Sequence, residues 1–315
     1  MVKKQKLKAI QEDETMYINI ETLITTIYFI VDNWYLREGQ CYLNGKVGRK
    51  PTFTDSELLT LMIFNEFMAF KSERKFVGYI HANHLDMFPN MVDQSQFNRR
   101  SCSLRLILNQ LREHIAQQLD VHLASLYVLD TAPVPVVGYK RSKKHSSFYN
   151  AQYGYCSSKK LHYWGYKLVL LVTADGIPVA FELVPANTDE RDAAEEVLPA
   201  ANPNSIALGD KGFIDEERQA DWQNSYGVSV YTFKRNNQYI RNEPEVSQLL
   251  KTHRRQIETT ISSLERVEDV EDTGAKTVLG LSTRVIAKVT SYTFRHYLLR
   301  FYGIDVLNFQ IVTIS

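Results

Sequence analysis

Three acidic residues, Asp130, Asp210 and Glu258, are placed for metal-ion chemistry. Asp130 follows the apolar, β-favouring run 123–129, and Asp210 follows the run 205–208 and one glycine. Both are predicted at strand ends, where ligands gather in α/β sheets. Glu258 lies on a long predicted helix over 246–267. If the two strands are neighbours and the helix packs across their ends, three carboxylates meet. Alone, such a cluster is unfavourable, because close like charges raise at least one pKa. A divalent cation resolves the conflict. Mg²⁺ takes oxygen ligands and keeps waters for substrate phosphates. Two such ions, about 3.5–4 Å apart, clamp the attacking and leaving oxygens of a phosphoryl transfer. Each acid also has a plain reading: Asp130 and Asp210 as turn formers, Glu258 as a solvated helix residue. Their joint placement is what points to phosphoryl transfer.

The elements that must position these acids fall into two parts. The front reads as helical. Ile20, Leu23, Ile24, Ile27, Ile30, Val31 and Trp34 recur at helical spacing within 18–35. Thr54-Asp55-Ser56-Glu57 is a capping box before an apolar helix over 58–70. A third helix over 93–120 has Arg99, Arg100, Arg105 and Arg112 on its polar side. The rear alternates. Strands are predicted at 123–129, 161–173, 177–184, 205–208 and 228–233, with Asp175-Gly176 as a hairpin turn. Helices are predicted at 189–198, 218–225, 246–267 and 282–301, the last with one basic face. The boundary falls near His122, giving a helical domain over 1–121 and an α/β domain over 122–315.

The length of 315 residues suits two domains. With 44% hydrophobic and 23% charged residues, the chain reads as globular. No run of about 18 apolar residues is present, so no transmembrane helix is expected. The basic N-terminus lacks the apolar stretch of a signal peptide. Cys41, Cys102 and Cys156 have no metal or disulfide spacing, as for reduced thiols. A cytoplasmic location is expected.

A net charge of +1 hides a segregated distribution. Residues 131–174 contain no acid, and they carry Lys140, Arg141, Lys143, Lys144, Lys159, Lys160 and Lys167. Tyr139, Phe148, Tyr149, Tyr153, Tyr155, Tyr163, Trp164 and Tyr166 are interleaved with them. Basic groups neutralise phosphates, and aromatic faces stack on unpaired bases. The plain alternative is a strand with ordinary core aromatics beside a loop. A second acid-free stretch runs over 273–304. Arg254 shares a helix face with Glu258 and suits a phosphate near the metals, or a surface ion pair. Arg255 and Lys211 are further candidates. His162 has no partner at ligand spacing, and Trp222 reads as core.

Several segments together resemble the bacterial insertion-sequence DDE transposases, which have a ribonuclease H-like catalytic domain. They are Leu126-Tyr127-Val128-Leu129-Asp130-Thr131, Ala207-Leu208-Gly209-Asp210-Lys211-Gly212-Phe213 and His253-Arg254-Arg255-Gln256-Ile257-Glu258. Leu161 to Leu168 is similar to the family's second strand. Thr54 to Leu59 and Ser95 to Arg100 are similar to the helical front of one such group. The resemblance covers roughly residues 50–301. It departs at Lys251, where the family often has Tyr, and at Glu265, where it often has Lys. Arg254 fits, and Arg266 is the nearest substitute base.

The resemblance implies a ribonuclease H-like mixed sheet flanked by helices, behind an all-helical N-terminal domain. It implies Asp130, Asp210 and Glu258 as metal ligands, with Mg²⁺ as cofactor and Mn²⁺ able to substitute. The implied reaction is strand cleavage at element ends and transfer into target DNA. The implied partners are double-stranded terminal inverted repeats and target DNA, with a homodimer on DNA and no membrane. The front domain would bind the repeats or serve packing and dimerisation. Two alternatives stand beside this: a DNA-binding relative that does not cut, and a nuclease of the same fold.

Overall fold

Local signals start each helix of the front part. The computed structural model describes residues 19–43, 51–138, 142, 147–157, 160–233, 243–253 and 273–306. Helix α1 (Ile20–Arg37) is capped by Asn19, whose side chain accepts from the Glu21 N–H. Helix α2 (Asp55–Phe67) opens with the capping box: Thr54 Oγ1 accepts from the Glu57 N–H at 3.2 Å, and Glu57 accepts from the Thr54 N–H at 2.5 Å. Helix α3 (Glu73–Asn83), capped by Ser72, has no counterpart in the sequence reading. It has only Phe76, Val77 and Ile80 as buried residues, too thin a stripe to stand out. Helix α4 (Gln94–Gln118) is capped by Asp93.

The rear is a single mixed sheet. It contains β1 (Leu126–Val137), β2 (Gln152–Cys156), β3 (Leu161–Thr173), β4 (Pro178–Pro185), β5 (Ser205–Gly209) and β6 (Val228–Thr232). The order is β2-β3-β1-β5-β6, with β4 also paired to β3. Strands β1, β3 and β4 form an antiparallel meander, and β5 and β6 run parallel to β1. Gly176 takes a φ of +88° in the β3–β4 turn, a region glycine enters without steric cost. This is the ribonuclease H-like arrangement that the sequence resemblance implied.

Alternation along the strands sorts the sheet's two faces. On one, Tyr127, Leu129, Val169 and Leu171 pack with residues of α5 (Glu190–Glu195) and α6 (Glu216–Tyr226), including Ala193, Ala194 and Trp222. On the other, Ala132, Val134, Trp164, Leu168 and Leu170 pack with Leu281, Val285, Val289 and Tyr292 of α8 (Val278–Tyr302). Between α6 and α8, residues 244–253 contain a helical segment, α7. Its Leu250 is buried with Val128, Val172 and Leu208.

Helix α8 is buried on nearly all sides. Its other face contributes Ile286, Ala287, Phe294 and Leu298 to the core built by α1 to α4. This overturns the expected basic face. Lys288 Nζ donates to Glu66 Oε2 at 2.9 Å inside the protein. Arg295 is buried over the Phe67 ring and donates to the Val306 carbonyl. Arg284 donates to the Thr273 carbonyl, and Arg300 pairs with Asp120. Arg112 of α4 likewise leaves the polar side assigned to it. It is buried and donates to the Pro178 and Val179 carbonyls, fastening the front helices to β4. Burial lowers its guanidinium to about 10. Among the described residues no helix is long and apolar enough to cross a membrane.

Two outcomes follow from this packing. Removing one partner of a buried ion pair strands the other charge, at a cost of about 3–5 kcal/mol. Lys288→Met is expected to lower stability by about that much, and Lys288→Met with Glu66→Leu to recover most of it, read by urea denaturation. The second outcome concerns pH. Burial lowers the pKa of His296 on α8 below its ordinary 6.5, against Asp175, which raises it. Burial lowers His84 in the same way. A depressed folded-state value means that the unfolded chain takes up the proton first. Stability is therefore full above about pH 6.5 and falls as pH drops through the folded values. The urea midpoint should decline from pH 7 to pH 5, and His296→Phe should flatten that decline.

Candidate active site

The parallel ladder between β1 and β5 decides where the two aspartates stand. Its register is Leu126 with Ile206, Tyr127 with Ala207, Val128 with Leu208 and Leu129 with Gly209. Asp130 is the next residue of β1, and Asp210 directly follows the end of β5. The sequence reading placed both directly after strands. Asp210 is so placed, whereas β1 continues past Asp130 to Val137 because β3 pairs with its full length. Pro133 and Pro135 are accommodated within that stretch.

Each aspartate is oriented by its own backbone. Asp130 Oδ1 accepts the Thr131 N–H at 2.6 Å, and Asp210 Oδ1 accepts the Lys211 N–H. Asp130 is half-buried and Asp210 exposed. Phe213 roots the Asp210 turn: it is fully buried, and its ring packs against Gly209. Alternation puts the Asp130 side chain on the face of Val128, the face that α7 covers. Residue 258 follows α7 in the chain, but Glu258 lies outside the described residues, as do Arg254 and Arg255.

On the opposite face, α5 stands beside Thr131 of β1 and the turn after Asp210. Thr131 Oγ1 donates to Glu190 Oε1 at 3.3 Å. A Cβ on Gly212 would lie 1.3 Å from Glu190 Oε2, so a side chain there would displace that carboxylate. Arg191 forms a fork on Asp189, at 2.7 Å to each carboxylate oxygen, and reaches Asp215 at 3.2 Å. Asp215 caps α6. The Arg191 hydrogen bond holds Asp189 down at about 2, and the Asp189 bond raises Arg191. Arg218 pairs with Asp192 and Glu195. The sequence reading places a helix over 189–198 and gives Glu190 no role. The signal it left unused was Gly212, a glycine two residues past a candidate aspartate.

The basic candidates divide. Lys140, Arg141, Lys143, Lys144 and Lys159 lie outside the described residues. Lys160 is exposed in the β2–β3 turn with a φ of +49°. Lys167 is half-buried and donates to the Thr188 carbonyl at 2.7 Å, just before α5. The aromatics divide as well. Phe148, Tyr163, Trp164 and Tyr166 are buried, while Tyr149, Tyr153 and Tyr155 are exposed. The His162 ring lies 4.5 Å from that of Tyr155. Trp222 is core, as read. The three cysteines are unbridged. Among the described residues no three His, Cys, Asp or Glu side chains are arranged to hold a metal.

Paired aspartates on adjacent parallel strands of a ribonuclease H-like sheet define a class of nucleic-acid-processing enzymes. The transposase DDE domain family matches residues 122–294, more than half of the chain, and the protein belongs to that family. The match covers every strand of the sheet and both aspartates. DNA is the substrate class that the family implies. Comparison with curated individual proteins finds no match.

Phe213 supplies the test of how the second turn is held. Phe213→Ala should cost about 3–5 kcal/mol in urea denaturation, as for a fully buried aromatic truncated in a core.

Proposed function

We propose that this protein is a DNA transposase that cuts strands at the ends of its element and joins them to target DNA. The observation that carries the reading is the register of β1 and β5, which sets Asp130 and Asp210 side by side. The carboxylate set is Asp130, Asp210 and Glu258. Its donors are all hard oxygens, and in each of the first two one oxygen is occupied by a backbone N–H. That chemistry fits Mg²⁺, with Mn²⁺ as a substitute.

Asp130, Asp210 and Glu258 would hold the metal, which supplies activation of water or a 3′-hydroxyl and stabilisation of the leaving oxyanion. The chain's own contribution is orientation. The Thr131 and Lys211 N–H groups fix the two carboxylates before substrate arrives. Lys160 and Lys211 are exposed cations able to meet phosphates. Lys140, Arg141, Lys143, Lys144, Lys159, Arg254 and Arg255 complete the proposed DNA contacts, and Lys167 is instead engaged with the Thr188 carbonyl. The exposed rings of Tyr149, Tyr153 and Tyr155 suit stacking on unpaired bases. The helical front, residues 1–121, would read the terminal repeats, and a homodimer would bring two ends together. The location would be cytoplasmic.

Cleavage of labelled DNA carrying the flanking element ends tests the reading, with Mg²⁺, Mn²⁺ or EDTA. Nicking at the element boundary is expected with either metal and not with EDTA. Asp130→Asn, Asp210→Asn and Glu258→Gln should each reduce it to background. Tight binding without cutting would instead identify a DNA-binding relative. Cutting without strand joining would identify a nuclease.

A further inference from the structure

Glu190 lies outside the carboxylate set, yet it touches strand β1 beside Asp130 and the turn after Asp210. It accepts from the hydroxyl of Thr131, the residue after Asp130. Its other oxygen rests where a side chain on Gly212, two residues after Asp210, would stand. Its neighbour Arg191 reaches Asp215, which closes the same turn by capping α6. The Glu190 carboxylate thus lies against the middle of the 210–215 segment while bonded to Thr131 of β1, and Arg191 holds the segment's end. The start of α5 is itself fixed, because Asp189 accepts from the Arg191 N–H and Lys167 holds the Thr188 carbonyl.

We propose that Glu190 is a positioning residue that sets the separation of Asp130 and Asp210, acting through Thr131 and Gly212 and not as a ligand. The proposal rests on the reading of these aspartates as the metal-binding pair. Its physical basis is that β1 and β5 are hydrogen-bonded only up to Leu129 and Gly209. Beyond that point the β1–β5 ladder no longer fixes how far apart the aspartates stand, and a strut from β1 to the turn after Asp210 does. Glu190 reaches around from the α5 face, while Asp130 faces α7, so the strut leaves the metal side open. Partners of this kind, which orient metal ligands, typically change metal affinity by about 10–100-fold when removed.

The role needs an accepting oxygen and the right shape, not a charge. Glu190→Gln keeps both and Glu190→Ala keeps neither. Gly212→Ala pushes the strut away from the other side. The experiment is titration of the full-length protein with Mn²⁺, read by electron paramagnetic resonance, beside amide hydrogen exchange in peptides spanning 129–133 and 210–214. Glu190→Ala and Gly212→Ala should each weaken Mn²⁺ binding by about tenfold. Both should speed exchange in the two peptides while the sheet core stays protected. Glu190→Gln should match the unsubstituted protein in both measurements. Unchanged binding in Glu190→Ala would overturn the proposal. A Glu190→Gln variant as weak as Glu190→Ala would also overturn it, by making Glu190 a ligand. If even the unsubstituted protein bound no Mn²⁺, the metal reading of the aspartates would fail. The exchange pattern would then decide the strut: faster exchange in Glu190→Ala but not in Glu190→Gln supports it, and no change overturns it.

Discussion

The site depends on four residue pairings between two parallel strands. They put Leu129 beside Gly209 and thereby bring two carboxylates to the same edge of the sheet. Two anions held this close repel, and nothing in the ladder itself compensates them. Each aspartate accepts the N–H of the residue that follows it. The rest of the architecture keeps those two strands adjacent. The meander of β3 and β4 supports β1 from one side, β6 supports β5 from the other, and helices cover both faces.

The charged groups around α5 illustrate the difference between energy and geometry. Arg191 and Arg218 engage four carboxylates among them, all partly exposed. Exposed pairs of this kind contribute little stability each. They do fix direction. A forked guanidinium on Asp189 leaves one angle for the start of α5, and that angle delivers Glu190 to Gly212. The network reads best as alignment for the turn after Asp210, not as a source of stability.

Much of this was legible in the sequence wherever local chemistry agrees with the tertiary fold. Thr54 and Glu57 form the capping box that their spacing announces. Strand β3 runs over the expected residues, and Asp210 follows its strand as read. What escaped were features set by long-range contacts. Strand β1 outruns its apolar run because β3 pairs with its whole length, prolines included. Strand β2 is short and mostly exposed, and it exists through its pairing to β3. Charge patterning misled most. Lys288, Arg295 and Arg112 were read as parts of polar surfaces, and each is buried with oxygen acceptors. The partners, Glu66 and the carbonyls of residues 306, 178 and 179, are mostly far away in the chain. Glu190 was hidden for the same reason: its meaning comes from Thr131 and Gly212.

The position of α8 in the chain has a consequence for biosynthesis. This helix fills the space between the front helices and the sheet, and it begins only at Val278. Until it leaves the ribosome, the helices of the front part and one face of the sheet both lack their shared partner. Contacts of such long sequence separation form late, and exposed apolar surface of this kind invites aggregation and chaperone binding. Folding of this unit is thus committed only after the chain beyond Val278 has been made. A truncated or still-nascent chain, although it already contains both aspartates, has no complete scaffold on which to set them.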